Sequence, residues 1–210
     1  MTPAPSADSS PAILSYRFTN PSFLIEALTH KSYVNERRDS GRKHNERLEF
    51  LGDAVLSLIM SDYLARRYPE LSEGALSKLK ASLVSEAPLA NAARRLDLGA
   101  RLKLGRGEEL SNGRDKTSLL ADALEAVIAA VYLDGGFEAS RNVTIEVLAD
   151  ELRQIDVLQE QPGGDDYKTR FQEWCQKRYE LLPRYVIVRE TGPDHQKVFE
   201  VEVQVNDRVF

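Results

Sequence analysis

Apolar residues recur at three- and four-residue spacing from Ile13 to about Arg153, with few β-branched runs. This pattern predicts a mainly helical region. Pro21, with Asn20 as N-cap, opens a helix that places Phe23, Leu24, Ala27 and Leu28 on one side. Arg37 to His44 is charged and contains glycine, so a loop is expected there. Asn45 is placed to cap a long helix running to about Tyr68, where Pro69 stops it. Ser72 to Ser85 predicts another helix. Pro88 restarts the chain for Leu89 to Leu96, with Gly99 as the stop. Gly105 to Asp115 is polar and Gly-rich, and reads as a mobile loop. Thr117 to Leu133 is a strongly apolar helix closed by Asp134, Gly135 and Gly136. A last amphipathic helix is expected from Ala139 to about Arg153.

The pattern then changes. Gln159 to Asp166 is a polar stretch containing Pro and two Gly, the best domain boundary. Tyr167 to Tyr179 predicts a short helix, and Pro183 ends that region. Arg184 to Glu190 is rich in strand formers. Phe199, Val201, Val203 and Val205 alternate with Glu200, Glu202, Gln204 and Asn206, the period of a half-buried strand. Gly192-Pro193-Asp194-His195-Gln196 reads as the turn between them. The expected organisation is a disordered tail over 1–11, a helical domain over 12–154, a linker over 155–165 and an α-β-β module over 166–210.

Composition adds limits. With 210 residues, 42% hydrophobic and 29% charged, the chain is of ordinary globular character. No apolar run reaches membrane-spanning length, so no membrane partner is expected. Met1 to Pro11 lacks the basic start and apolar stretch of a signal peptide. The single cysteine, Cys175, excludes an internal disulfide and fits a reducing compartment. A cytoplasmic location is expected. The formal net charge of -5 argues against a nucleic-acid partner unless acids are concentrated at a metal site.

The segment His44-Asn45-Glu46-Arg47-Leu48-Glu49-Phe50-Leu51-Gly52-Asp53 carries the chemistry. On a helix, Glu46, Glu49 and Asp53 project from one face. Clustered like charges repel, and a cation relieves the repulsion. Oxygen ligands suit Mg²⁺ or Mn²⁺ better than zinc. A second helix offers Asp122 and Glu125 at the same spacing, among Leu119, Leu120, Leu124, Val127, Ile128 and Val131. If the two helices cross there, Glu49, Asp53, Asp122 and Glu125 form a four-carboxylate cage. The use of such a cage is phosphodiester hydrolysis with one or two divalent ions, which needs no protein nucleophile. The three histidines, His30, His44 and His195, are scattered, and Cys175 lies in the other module, so a nucleophilic triad is poorly supported. The bland alternative is that both sets of acids form solvated helix faces.

Asn45-Glu46-Arg47-Leu48-Glu49-Phe50-Leu51-Gly52-Asp53-Ala54-Val55 closely resembles the signature of the ribonuclease III family, and Leu120-Ala121-Asp122-Ala123-Leu124-Glu125-Ala126 its second acidic motif. Leu71-Ser72-Glu73-Gly74 and Leu76-Ser77-Lys78-Leu79-Lys80 resemble the family too, and the likeness runs from about Tyr16 onward. The resemblance implies an all-α endonuclease domain that forms a homodimer and cuts both strands of duplex RNA, with Mg²⁺ (or Mn²⁺) and no organic cofactor. The products would be 5′-phosphates and 3′-hydroxyls with a short 3′ overhang, and precursor ribosomal RNA is an implied substrate. Glu49, Asp53, Asp122 and Glu125 match the metal ligands. Glu46 and Glu73 match supporting acids, and Phe50 an aromatic used in dimer packing. From spacing alone, Phe50 is equally a core residue.

The second module resembles a small α+β double-stranded RNA-binding domain. Asp166-Tyr167-Lys168-Thr169 and Phe171-Gln172-Glu173 match its first helix, which reads the minor groove by shape. Thr169, Gln172, Glu173 and Gln176 are its candidate contacts, and His195 another on the hairpin loop. The complete domain has a third strand and a basic second helix, and the sequence is expected to lack both. From Asp165 to Phe210 eight basic residues face nine acidic ones, so no basic patch is expected. Two other functions compete with this one. One is a non-catalytic RNA-binding or ribosome-assembly protein, the other a phosphohydrolase of small nucleotides. The intact acids oppose the first. The lack of paired His-Asp ligands opposes the second.

Overall fold

The computed structural model describes residues 12–13, 15–37, 41, 43–160, 167–192, 197–205 and 208–209. The tail expected over 1–11 lies outside them. The chain divides into two compact units, Met1–Val157 and Leu158–Phe210.

In the first unit a two-residue antiparallel pair, β1 (Ala12–Ile13) and β2 (Tyr16–Arg17), precedes the helices. Helix α1 (Pro21–Ala27) begins as expected, with Asn20 Oδ1 accepting from Ser22 N–H at 3.1 Å. After α2 (Lys31–Arg37), α3 (Glu46–Arg67) follows Asn45, whose side chain makes no capping bond. Ser72 caps α4 (Glu73–Leu83). Helix α5 (Glu86–Arg95) starts before Pro88, not after it. In a first turn the missing proline N–H would have had no partner in any case. The break after α5 falls at Asp97, which is left-handed at φ 51°, and not at Gly99, which lies inside α6 (Leu98–Arg101).

The expected loop at Gly105–Asp115 is instead the short helix α7 (Arg106–Leu110) and a 3₁₀ turn at Gly113–Asp115. Hydrogen bonds between side chains and backbone hold it. Glu36 accepts the N–H groups of Arg106 (2.6 Å) and Gly107 (3.0 Å), and Arg114 donates to the carbonyls of Gly99 (2.7 Å) and Leu102 (2.9 Å).

Helix α8 (Thr117–Val147) is the centre of this unit, with α1, α3 and α5 packed against it. Every residue from Ala126 to Val131 is buried, so this stretch is apolar on all sides. Gly136 interrupts the helix at φ 78°, ψ −175°, a conformation that L side chains rarely adopt. The helix expected over Ala139–Arg153 is thus the second half of α8 followed by α9 (Ala149–Glu160), which continues into the segment expected as a linker. The rest of that segment, 161–165, lies outside the described residues. No described helix is long and apolar enough to cross a membrane.

In the second unit, α10 (Tyr167–Tyr179) precedes an antiparallel sheet of β3 (Arg184–Thr191), β4 (Val198–Val205) and β5 (Arg208–Val209). Tyr185 pairs with Val203 and Ile187 with Val201. Cys175 and Val205 are buried. The α-β-β expectation is corrected by β5, which pairs Arg208 with Val205. Two residues are too few to show a strand period. The fold is therefore an all-α domain followed by a small α+β unit.

Candidate active site

Glycine at position 52 sets the geometry. An ideal Cβ built on Gly52 would lie 2.0 Å from the backbone oxygen of Glu125 and 2.4 Å from its carbonyl carbon. Helices α3 and α8 therefore touch backbone to backbone at this point. Leu48, Val55, Leu56, Ile59 and Met60 carry the buried stripe of α3 that drives the contact. The acids flank it. Glu49 and Asp53 lie three residues before and one residue after Gly52, and Asp122 lies one turn before Glu125. Glu49, Asp122 and Glu125 are half-buried, and Asp53 is exposed.

Their electrostatics are coupled across the crossing. Burial, then the charges of Asp53, Asp122 and Glu49, push the pKa of Glu125 up to about 7. Burial and the charge of Glu86 raise that of Asp122. Burial, Asp122 and Glu46 raise that of Glu49. Each shift has the sign of carboxylates that lack sufficient counter-charge.

The donor set is oxygen-only, half out of water, and relieved by any cation, which fits a hard divalent ion. Among the described residues, no three of the His, Cys, Asp and Glu side chains already converge into a coordination group. The backbone crossing is in place.

The supporting residues divide. Glu46 accepts from Lys31 Nζ at 2.7 Å, and that bond lowers its pKa. Glu73 accepts from Ser77 Oγ at 2.7 Å, within its own helix. Phe50 is 83% exposed, which rules out a core role within the single chain. In the second unit, α10 carries Thr169, Gln172, Glu173 and Gln176. Gln172 is half-buried and Gln176 exposed, while the other two side chains and His195 lie outside what is described.

Sequence reasoning missed three things. Glu86, at the start of α5, adds a further acid near Asp122. Lys31 supplies a cation. His30 and His44, which look scattered in the sequence, both act on Glu46, and His44 Nδ1 lies 3.6 Å from its Oε2. The parallel bridge of Thr29 to Lys103 and the bond from Asn45 N–H to the Thr29 carbonyl (2.9 Å) bring these positions together. Such pairings leave no periodic signal.

Comparison with known proteins places these features in a family. Residues 20–152 match the model described as Ribonuclease-III-like, and 167–210 match the double-stranded RNA binding motif. Ribonuclease 3 of Pseudothermotoga lettingae is 48% identical over 200 residues, covering 94% of this chain and 83% of that protein. Ribonuclease 3 of Heliobacterium modesticaldum is 53% identical over 187 residues, 89% of this chain and 78% of the relative. A solved nuclease domain of ribonuclease III from Campylobacter jejuni superposes with TM-score 0.61 at 42% identity, over 65% of this chain and 92% of that one. That structure is described as flexible in a region involved in dimer formation. Dicer from Pichia stipitis, at 22% identity and TM-score 0.54, covers 92% of this chain and 84% of its own and shares the fold.

Proposed function

This chain belongs to the ribonuclease III family, and on that premise we propose that Glu49, Asp53, Asp122 and Glu125 hold its divalent ions, with Mg²⁺ as the ion used and Mn²⁺ as a substitute. The protein is a double-strand-specific endoribonuclease that depends on a divalent metal. The observation that supports the site is the backbone contact of Gly52 with Glu125, which sets four coupled carboxylates around one crossing.

In the reaction a water oxygen bonds to phosphorus and the bond from phosphorus to the 3′ oxygen breaks. The products are a 5′-phosphate and a 3′-hydroxyl. A divalent ion held by these acids would supply Lewis acidity to the phosphate and would lower the pKa of the attacking water. The residues of the chain do the rest. Gly52 keeps α3 against α8, so that Glu49 and Asp53 face Asp122 and Glu125. In the metal-free protein, burial and the charges of Asp53, Asp122 and Glu49 push the pKa of Glu125 up to about 7, so a proton leaves this carboxyl when a cation takes its place. Lys31 holds Glu46 at the rim, and Glu73 is a second supporting acid.

The exposed Phe50 supports a homodimer in which the aromatic ring packs on the partner chain. Double-stranded RNA is the partner of the second unit. Thr169, Gln172, Glu173, Gln176 and His195 are the proposed contacts, the domains are 12–154 and 166–210, precursor ribosomal RNA is a substrate, and the location is cytoplasmic. A non-catalytic role on this scaffold is not favoured, because every matched acid is present. The test is cleavage of a long RNA duplex with Mg²⁺ or with EDTA, in the wild type and in Glu→Gln variants at 49, 53, 122 and 125. Metal-dependent double-strand cuts that vanish in these variants are expected. Full activity in any of them removes that residue from the site.

A further inference from the structure

Helix α3 turns one strip away from the core. Arg47, Phe50, Ala54, Leu58 and Ser61 follow one another at three- and four-residue spacing, and all are exposed. Phe50 is 83% exposed and Leu58 58%. Ser61 Oγ donates to the Ser57 carbonyl at 2.7 Å, so its hydroxyl is satisfied within the helix. The strip therefore offers apolar surface to an outside partner.

This strip borders the acidic site. Asp53 lies three residues after Phe50 and Glu46 four before it. Each is a neighbour of Phe50 on the helix surface, with Cβ atoms roughly 5–6 Å apart. Both acids are exposed in the single chain. A stable interface covers on the order of 800 Å² of each partner, and its anchoring aromatic sits near the centre. Docking of a second copy on Phe50 therefore cannot stop short of residues one helical turn away. It takes water from one side of Asp53.

A carboxylate that loses water without gaining a cation raises the free energy of the assembly. Arg47, the cation of the strip, cannot neutralise both acids. A divalent ion beside Asp53 removes the cost, and its attraction to the carboxylate strengthens where water is excluded. Association and ion binding then favour each other, and such a coupling is reciprocal.

We propose that the exposed strip of α3 couples dimerisation to metal loading. A second copy seated on Phe50 and Leu58 covers one side of the acidic site and tightens its hold on a divalent ion, and the ion in turn tightens the dimer. This rests on the readings of Phe50 as a dimer contact and of the four acids as metal ligands.

The test is Mn²⁺ alone added to the full chain, without RNA. Electron paramagnetic resonance follows the free ion, and sedimentation follows the oligomer. Phe50→Ala and Leu58→Asp are expected to sediment as monomers and to bind Mn²⁺ about fivefold or more weakly than the dimeric wild type. The added carboxylate of Leu58→Asp would by itself tighten the binding of a cation, so weaker binding there comes from the lost partner. Equal or tighter Mn²⁺ binding by a monomer of either variant, with circular dichroism showing an intact fold, overturns the proposal. A monomeric wild type, or two variants that both stay dimeric, overturns the dimer reading beneath it. A wild type that binds no Mn²⁺ overturns the ligand assignment.

Discussion

Replacing Glu125 by Gln separates the structural role of this side chain from its chemical one. In the metal-free protein the Glu125 pKa is raised from 4.5 to about 7. The native state therefore binds a proton more tightly than the unfolded chain does between those values. Stability must fall as pH rises through that window, since the unfolded state holds fewer protons there. The full shift corresponds to about 3.4 kcal/mol at 1.36 kcal/mol per unit. Glu125 is only half-buried, and solvent screening reduces this to about 1–2 kcal/mol. Gln keeps the shape and the polar tip but never ionises. Metal-free Glu125→Gln is thus expected to match wild type near pH 5 and to exceed it by about 1–2 kcal/mol at pH 8. For a unit of this size that is a rise in melting temperature of about 2–8 °C. Calorimetry in EDTA at both pH values is the assay. The variant is also expected to bind duplex RNA and to leave it uncut. A stability difference that is the same at pH 5 and pH 8, or absent at both, refutes the argument from charge.

Other substitutions probe the frame around the acids. Gly52→Ala places a methyl where the Glu125 carbonyl stands, so α3 and α8 must separate; a loss of about 2–3 kcal/mol in urea unfolding and a matching loss of cleavage are expected. Phe50→Ala is expected to change the stability of the isolated chain by less than ~0.5 kcal/mol, because the ring is already exposed, while sedimentation shifts from dimer toward monomer; an unchanged dimer contradicts the packing role. Arg114→Ala removes the guanidinium that donates to the carbonyls of Gly99 and Leu102 and pairs with Glu109; hydrogen exchange across 98–116 should accelerate by about tenfold or more, and unchanged exchange would show that the segment is held by other means.

How far the sequence reveals this arrangement depends on the range of the forces involved. The helices of the first unit are legible because their cores are periodic. Asn20 and Ser72 announce helix starts because capping is a contact over two or three residues. The acidic pairs on α3 and α8 are legible for the same reason. What brings them together is the absence of a side chain at Gly52, and a glycine in a helix says nothing by itself about its neighbour. The segment after Gly105 is misread because its polar residues bind distant backbone groups, and Glu36 and Gly99 lie far away in sequence. Lys31 and Glu86 stay hidden because each acts on acids of other helices. The strand β5 stays hidden because two residues hold no pattern.

The acidic balance of the chain looks unfavourable for a polyanionic substrate, and the structure shows why the total misleads. Many of its acids are matched locally. Glu46 pairs with Lys31, Glu108 with Lys116, Glu109 with Arg114, Glu151 with Arg95 and Asp156 with Arg67. Asp134 accepts from Tyr16 and from the N–H groups of Thr19 and Asn20. Glu125 receives repulsion from three other acids and no cationic relief. At Glu125, by contrast, acidic charge stands without a cationic neighbour, where an ion would relieve it. Divalent ions bound there would offset part of the net charge of -5. For a metal-dependent nuclease the relevant charge is that of the loaded protein. On the proposed assignment, the same carboxylates that would repel the RNA backbone in the empty site would hold the positive ions that draw it in.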